Sequence, residues 1–554
     1  MWIAGGHYYV DTGIALTDQT SEVAPSSGHE SPYLVLNRNL KIYGGFAGTE
    51  TSLDQRDPEA NPTYLDGNVY YKDRHDFPVP DNIFGYDNRF SKRIMVAYNS
   101  TLTLDGLIFQ YVFGGDSSAN GTGHISEPEQ GNGAFVRTHQ SALTINNCLF
   151  RYAAVGFQGQ MVHETSSTEP LRITNSRFTE SGNTYSFFHI TNEGGAGSVI
   201  FENNIFDNLQ TYSSYSNIFF NTSHWPGASS VTEIKNSLFY NNGRLQIKVS
   251  NYLDESSSVN MVIENVLVFN NDFSEDPFLD VLSPLTFGTI NLSIINSSFI
   301  NNIGSNPVID TAGKTGPNKL NLTMQNNVFY GNKISEEDST PIESLRTGTN
   351  QEFQSTTISY NATDESGSTL LTNNDYKTGS VDLSSTSLTD LFVGQTDEDG
   401  NIDADGADDK WFTSDDGFVP KENGVLHNAG NNTAVANIAL DLKNTNRLQE
   451  DTVDIGAYEL GDIRLLGQED GLSILPTLLI YPNPVQKGSA LYVDLSGLRT
   501  QQLIIRDVSG KHVKTFTLDG DQQKVDVGAL SSGPYLVISV NDRNDYKAFK
   551  LIVE

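Results

Sequence analysis

The run Ile145-Asn146-Asn147-Cys148-Leu149-Phe150 decides how this chain is read, because it recurs. Written as apolar-x-Asn-x-x-Phe, it returns as Ile173…Asn175…Phe178, Phe201…Asn203…Phe206, Ile234…Asn236…Phe239, Ile263…Asn265…Val268, Ile294…Asn296…Phe299 and Met324…Asn326…Phe329. A degenerate copy, Leu104…Gly106…Phe109, precedes them. Successive Asn residues lie 28, 28, 33, 29, 31 and 30 positions apart. Similarity at a fixed period of this size marks a solenoid, a propeller or an array. Each copy is short, alternating and rich in β-branched residues, as in Leu143-Thr144-Ile145 and Thr232-Glu233-Ile234, so the unit is built of strands. A unit of roughly 30 residues holds about three strands of five to six residues plus turns. That is one coil of a parallel β-helix. Helical repeats are disfavoured, since no segment carries a 3.6-residue apolar stripe.

Coils of a parallel β-helix stack about 4.8 Å apart, so equivalent side chains form columns along the axis. Phe150, Phe178, Phe206, Phe239, Phe299 and Phe329 are therefore expected to make one continuous interior column. Asn147, Asn175, Asn203, Asn236, Asn265, Asn296 and Asn326 are expected to make a hydrogen-bonded ladder at a bend, where Asn tolerates left-handed backbone. The functional alternative is that these Asn side chains bind sugar or metal. Ladder formation by itself already accounts for their regular spacing beside an aromatic partner.

At 554 residues the chain can bury large cores and holds more than one domain by the usual domain size. Its formal net charge of −34 argues against nucleic acid, whose phosphates need clustered Lys and Arg. The same charge disfavours polyanionic glycans unless Ca²⁺ bridges the two. The single cysteine, Cys148, excludes a disulfide within the chain and reads as a small core residue of its repeat. No stretch approaches the ~18 consecutive apolar residues of a membrane-spanning helix.

Two excursions interrupt the repeats. Residues 60–100 alternate charges around Pro78 and Pro80, and Gly114–Gly133 is rich in Gly, Ser and Asn and carries His124, Glu127 and Glu129. Loops on a rigid scaffold often carry function, although a lone His with two Glu is usually a solvated loop. Beyond Asn326 the pattern fades into a polar, acidic stretch. Within it, Asp397-Glu398-Asp399-Gly400-Asn401-Ile402-Asp403-Ala404-Asp405-Gly406 alternates carboxylates around a turn glycine. Ca²⁺ takes six to eight oxygen ligands, and Asp397, Asp399, Asp403 and Asp405 are the candidates to supply them. An EF-hand loop would place a bidentate Glu at the twelfth position; here that residue is Asp408. The alternative is an acidic, solvated turn.

The run Lys41-Ile42-Tyr43-Gly44-Gly45-Phe46-Ala47-Gly48-Thr49-Glu50-Thr51, followed by Asp54-Gln55-Arg56-Asp57-Pro58, closely resembles the opening coils of secreted Bacteroidetes proteins with the right-handed β-helix of pectate lyases. In those relatives a helical cap and a signal peptide come first. Neither is present here, which implies a truncated start or a mature fragment. Asp403-Ala404-Asp405-Gly406 through Trp411 to Gly417 resembles a segment near the end of such proteins. Val453-Asp454-Ile455-Gly456-Ala457-Tyr458-Glu459 looks like the segment that closes the helix in the choice-of-anchor group. The resemblance covers residues 1–460, and a linker follows at 461–474.

Residues 475–554 change character, with seven short strands separated by turn signals: Leu478–Tyr481, Leu491–Leu495, Gln502–Asp507, Val513–Leu518, Lys524–Val527, Tyr535–Val540 and Tyr546–Val553. About seven strands in about 80 residues is the signature of an Ig-like β-sandwich. Tyr481-Pro482-Asn483-Pro484, Gly510-Lys511, Gly533-Pro534-Tyr535 and the terminal Lys550 are similar to the type A C-terminal sorting domain of type IX secretion. The resemblance implies handling by the type IX machinery, export across the outer membrane, and an extracellular or outer-membrane-surface location.

The β-helix fold hosts polysaccharide lyases and glycoside hydrolases. A lyase needs a base beside carboxylates that hold Ca²⁺, and a hydrolase needs two carboxylates roughly 5–9.5 Å apart. Of the residues preceding each ladder Asn, Glu202, Lys235 and Glu264 form a charged column. Glu202 and Glu264 sit two coils apart, about 9.6 Å at the usual spacing and slightly beyond the inverting range. Alternating signs along a column are also what a structural ion-pair ladder looks like. Two function classes follow: a non-catalytic surface protein that binds glycans or neighbouring surfaces, and a glycan-active enzyme.

Overall fold

A computed structural model of the chain describes all residues except 11–31, 68–90, 92, 115–133, 156–160, 166–170, 184–185, 193–197, 212–217, 225–228, 252–257, 275, 283–288, 312–318, 348–351, 395, 397–401, 408–409, 462–478, 482–484, 486, 488–489, 495–499, 508–510, 518–521, 529, 542–545 and 554. The described residues fall into two compact units, one within Met1–Ser473 and one within Ile474–Glu554. Both excursions singled out by the sequence, including His124, Glu127 and Glu129, lie largely outside the described residues. So does the linker.

The first unit is a parallel β-helix. Three sheets make its walls, and the chain visits them in rotation. The first sheet has 11 strands from Trp2–Ala4 to Glu352–Ser359, the second 12 from Gly6–Tyr9 to Val381–Asp382, and the third 10 from Tyr33–Leu36 to Leu345–Arg346. Register follows the repeat: Leu104, Ile145, Ile173, Phe201, Ile234, Ile263, Ile294, Met324 and Ile358 pair in succession. Each points inward, and its neighbours on the strand point out, as in the buried/half-exposed alternation along Thr289–Ile295. A one-residue slip would turn the whole apolar set outward, so the alternation pins the register.

The Phe column is real but not continuous. Phe109, Phe150, Phe178, Phe206 and Phe239 stack face to face at 4.6–5.3 Å between ring centroids, and Phe299 stacks on Phe329 at 5.0 Å. Between the two stacks the register position is Val268. Phe278 fills that gap edge-on, 5.9 Å from Phe239 and 5.4 Å from Phe299. A small residue in one wall is thus matched by a large one from elsewhere in the coil, which keeps the interior close-packed.

First and second sheets are joined by a two-residue bend. Its first residue is the ladder Asn, and all seven have φ between 46° and 59°. Gly106 (φ 70°) and Tyr360 (φ 55°) hold the same place in flanking coils. Asn pays little for this left-handed geometry. Its second residue points inward as a buried polar column. Ser176 Oγ accepts from Cys148 N, Asn204 Oδ1 from Ser176 N and Ser237 Oγ from Asn204 N; Asn327 Oδ1 accepts from Ser297 N and Asn361 Oδ1 from Asn327 N. A further buried column, Asn242→Asn271→Asn302→Asn332, runs amide to amide at 2.9–3.0 Å. Burying these amides is tolerable only because each is bonded.

After Val381–Asp382 the chain folds back along the flank instead of adding coils. Tyr330 Oη donates to Thr386 O (2.8 Å), Trp411 packs on Tyr240, and Phe418 packs edge-on to Phe269 at 4.7 Å. Val453–Glu459 lies on the ladder bend, where Gly456 N donates to Asn326 O and Ala457 N to Ser298 Oγ. Gly456 is required there: its φ is 115°, and a Cβ would meet Ser298 Oγ at 2.9 Å.

The second unit is a seven-stranded antiparallel sandwich, compatible with an Ig-like domain. Leu479–Tyr481, Ala490–Asp494 and Gln522–Asp526 form one sheet; His512–Thr517, Thr500–Asp507, Gly533–Asn541 and Tyr546–Val553 form the other. Between them lies a core that includes Val485, Leu491, Leu503, Val525, Val537 and Leu551.

Candidate functional site

The column named from the sequence stands on the outer face of the first sheet. Glu202 pairs in register with Lys235, and Lys235 with Glu264. Their ion pairs, however, do not run along the column. Lys235 Nζ lies 3.2 Å from Glu233 Oε2, two residues back on its own strand, and Arg172 Nη1 lies 3.8 Å from Glu202 Oε2. The Arg172–Glu202 pair is about two-fifths exposed on both sides, so it contributes little stability. Burial pushes the Glu264 carboxyl up, against the pull of Lys235 and Arg447. The three residues therefore form a compensated face rather than two carboxylates opposed across open space.

The ladder is partly amide to amide and partly covered. Asn175 Nδ2 donates to Asn146 Oδ1, Asn203 Nδ2 to Asn175 Oδ1 (3.2 Å) and Asn265 Nδ2 to Asn236 Oδ1 (2.9 Å). Asn147 begins the series. Asn265, Asn296 and Asn326 are buried beneath the folded-back segment. Asn265 donates to Leu440 O (2.7 Å), Asn326 exchanges two bonds with the backbone of Asn431, and Asn296, with its amide oxygen turned toward the guanidinium, accepts from Arg447. Three of the seven ladder residues thus anchor a distant part of the chain, a role no spacing rule reveals.

Beneath that segment lies a buried ionic cluster that sequence reasoning did not single out. Arg447 is fully buried; it donates to the carbonyls of Ala457 and Gly456, and its Nε sits 3.3 Å from Glu459 Oε1. Asp441 accepts from Thr445 N and Glu459 N, and Asp454 from Asn428 N and Leu460 N. Burial pushes the Glu459 carboxyl up to about 9, and burial likewise raises Asp454. Nearer the start of the segment, Asp416 accepts from Tyr458 Oη (2.7 Å) and Phe412 N, and burial holds its carboxyl well above the usual range. Charged residues in a non-periodic stretch gave no signal that they would be buried.

Of the proposed Ca²⁺ ligands, Asp397 and Asp399 lie outside the described residues. Asp403 and Asp405 are described, and Asp405 helps hold up the basicity of Arg177. Burial works against the Arg177 charge, but its bidentate partner Asp207 outweighs that, at 2.7 and 2.8 Å. Among the described residues no group of three or more His, Cys, Asp or Glu side chains converges as a metal site. Cys148 is buried and hydrogen-bonded to Asn146 O, and burial raises its thiol, so it is a core residue and no nucleophile.

Connections also differ around the coil. The first-to-second-sheet bend is constant, whereas variable stretches flank both edges of the third sheet, such as 115–133 before Ala134–His139 and 283–288 after Leu279–Leu282. On the third sheet Lys248, Asp280, Asp310 and Arg346 share one register position on consecutive coils. Asp310 is bonded to Arg346.

In the second unit, the sorting residues fall on strands and turns. Tyr481 ends the first strand, and Lys550 pairs with Leu536 in the last two strands. Lys511 N donates to Asp507 Oδ1, Gly533 has φ 144°, and Tyr535 Oη donates to Ser531 O. Pro482, Asn483, Pro484 and Gly510 lie outside the described residues.

Comparison with known families matches residues 479–554 to the secretion system C-terminal sorting domain. This stretch is a type IX sorting domain, and it marks the chain for export and cell-surface attachment through that machinery. No curated protein and no solved structure matches the chain. Among the described residues, no helix is long and apolar enough to cross a membrane.

Proposed function

We propose that this is an exported surface protein whose β-helix, of the pectate-lyase-like right-handed type, binds glycans along the outer face of its first sheet without cleaving them. Residues 1–460 would be the binding domain, 461–474 a linker and 475–554 the address. The observation that supports the reading is the state of that face. It is half-exposed over many coils, and Glu202 and Lys235 are each ion-paired, with Arg172 and Glu233, rather than gathered around an open acid/base couple. Glycan-array binding joined to detection of reducing ends and unsaturated uronates tests it. Binding without product is the expected result, and turnover of any bound glycan would overturn it.

One register feature favours a second reading, a polysaccharide lyase or glycoside hydrolase. Lys248, Asp280 and Asp310 hold one register position on consecutive coils of the third sheet, so a basic and two acidic residue types fall in one column. Under that reading Asp280→Asn abolishes product formation; under the first there is no product to lose.

A further inference from the structure

The last coils of the first sheet differ from the rest of this acidic chain. On the outer face of Ser258–Glu264, Thr289–Ile295, Lys319–Gln325 and Glu352–Ser359, one column is an amide ladder. Asn291 Nδ2 donates to Asn260 Oδ1 (2.6 Å), Asn321 Nδ2 to Asn291 Oδ1 (2.7 Å), and Ser355 Oγ to Asn321 Oδ1 (2.7 Å). The adjacent column in register is Ser293, Thr323 and Thr357. These residues are half-exposed or exposed, and none is charged. In a chain of net charge −34, an uncharged hydrogen-bonding patch on the last four strands of a sheet face stands apart.

The ladder holds the Asn291 and Asn321 amides in one orientation, with one N–H and one oxygen lone pair of each engaged by its neighbours and one of each left outside the ladder. Ordering entropy is thereby already met before a ligand arrives. Successive coils about 4.8 Å apart repeat the donors and acceptors along each column, and a β-sheet face offers no walls to enclose a small molecule. A flat, extended, hydroxyl-rich chain fits such a surface. A polyuronate fits less well, because Lys319 at the edge of the patch is a lone cation to answer a row of carboxylates and the net charge of −34 repels it.

We propose that this patch binds a neutral polysaccharide laid flat across the coils, with the Asn291–Asn321 ladder and the Ser293–Thr357 hydroxyl column as its contacts. The proposal rests on the glycan-binding reading above and narrows it to a polymer class and a place.

Affinity electrophoresis in xyloglucan, mixed-linkage β-glucan, dextran and polygalacturonate tests it with the full chain. Ser293→Glu and Thr323→Glu place a carboxylate on the patch without touching the ladder, and Thr144→Glu is the control on an early coil of the same face. Unchanged melting temperatures establish that the variants are folded. The expected result is retardation by at least one neutral polymer, weakened more than tenfold by either patch substitution and less than twofold by Thr144→Glu. Neutral-polymer binding that ignores both patch substitutions overturns the placement and leaves the glycan-binding reading standing. Retardation by polygalacturonate alone overturns the polymer class. Retardation by no polymer in the panel overturns the proposal and that reading together.

Discussion

Asn326 and Asn431, 105 residues apart, exchange two hydrogen bonds: Asn326 Oδ1 accepts from Asn431 N at 2.8 Å, and Asn326 Nδ2 donates to Asn431 O at 3.2 Å. The same Asn holds a left-handed bend at φ 59° and is fully buried. One side chain thus serves the coil and the segment that covers it. Asn326→Ala loses both bonds and strains the bend. Two buried bonds at about 1 kcal/mol each and a left-handed Ala at about 1–2 kcal/mol predict a loss of about 3–4 kcal/mol. Denaturant unfolding measures it, and hydrogen exchange should quicken across 427–460 more than in the early coils.

The break in the Phe column makes a paired prediction. Phe239→Ala should cost about 3–5 kcal/mol as a core truncation. Val268→Phe, which would complete the column, should nonetheless destabilise by about 1–3 kcal/mol, because Phe278 already occupies the space. Combining Val268→Phe with Phe278→Ala should recover part of that loss. A stabilising Val268→Phe on its own would show that the gap is unfilled.

Stability should fall as pH rises through the neutral range. Burial lifts Glu459 to about 9, well above its unfolded value of about 4.5. The folded state therefore holds a proton that the unfolded state has lost between those values. The corresponding stabilisation is complete below about pH 4.5 and gone above about pH 9. Asp454 and Asp416 are shifted in the same direction. The melting temperature should decline from pH 6 to pH 9, and Glu459→Gln should flatten that slope. A slope that Glu459→Gln leaves unchanged would assign the pH dependence to other groups.

We propose that Ca²⁺ orders the Asp397–Asp409 segment. A ligand bound only by the folded state stabilises it. Adding Ca²⁺ should raise the melting temperature and release heat in calorimetry, and Asp403→Asn with Asp405→Asn should abolish both effects. No heat, and the same melt in excess chelator, would sink the idea.

Removing the sorting domain should separate address from fold. The sandwich has its own core, so deletion of residues 475–554 should leave the β-helix melting transition in place. In a host with type IX machinery, the truncated chain should be missing from the cell surface. Surface delivery in normal amounts would make the sandwich a binding module instead.

The sequence alone determined the coil. In parallel stacking, equivalent side chains must lie in register, so a motif returning every 30 residues or so states both the strand pairing and the inward face. Ile145, Ile173 and Phe201 could be paired before any coordinates, as could Glu202, Lys235 and Glu264. Seven turn-bounded strands and their motifs likewise announced the sorting sandwich. Tertiary structure alone decided what covers the helix. Glu264 is desolvated, Asn296 meets Arg447, and Asn326 meets Asn431 because a stretch without periodicity folds back over the later coils. Contacts more than 100 residues apart leave no local pattern to read. The pairing of Lys235 with Glu233 on its own strand, and the filling of the Val268 gap by Phe278, depend on which rotamers pack together, and register does not specify rotamers. The inward polar columns lay between these extremes. Pairs such as Asn203-Asn204 and Asn326-Asn327 were visible in the sequence, but only the bend geometry sends the first amide outward and the second into the core.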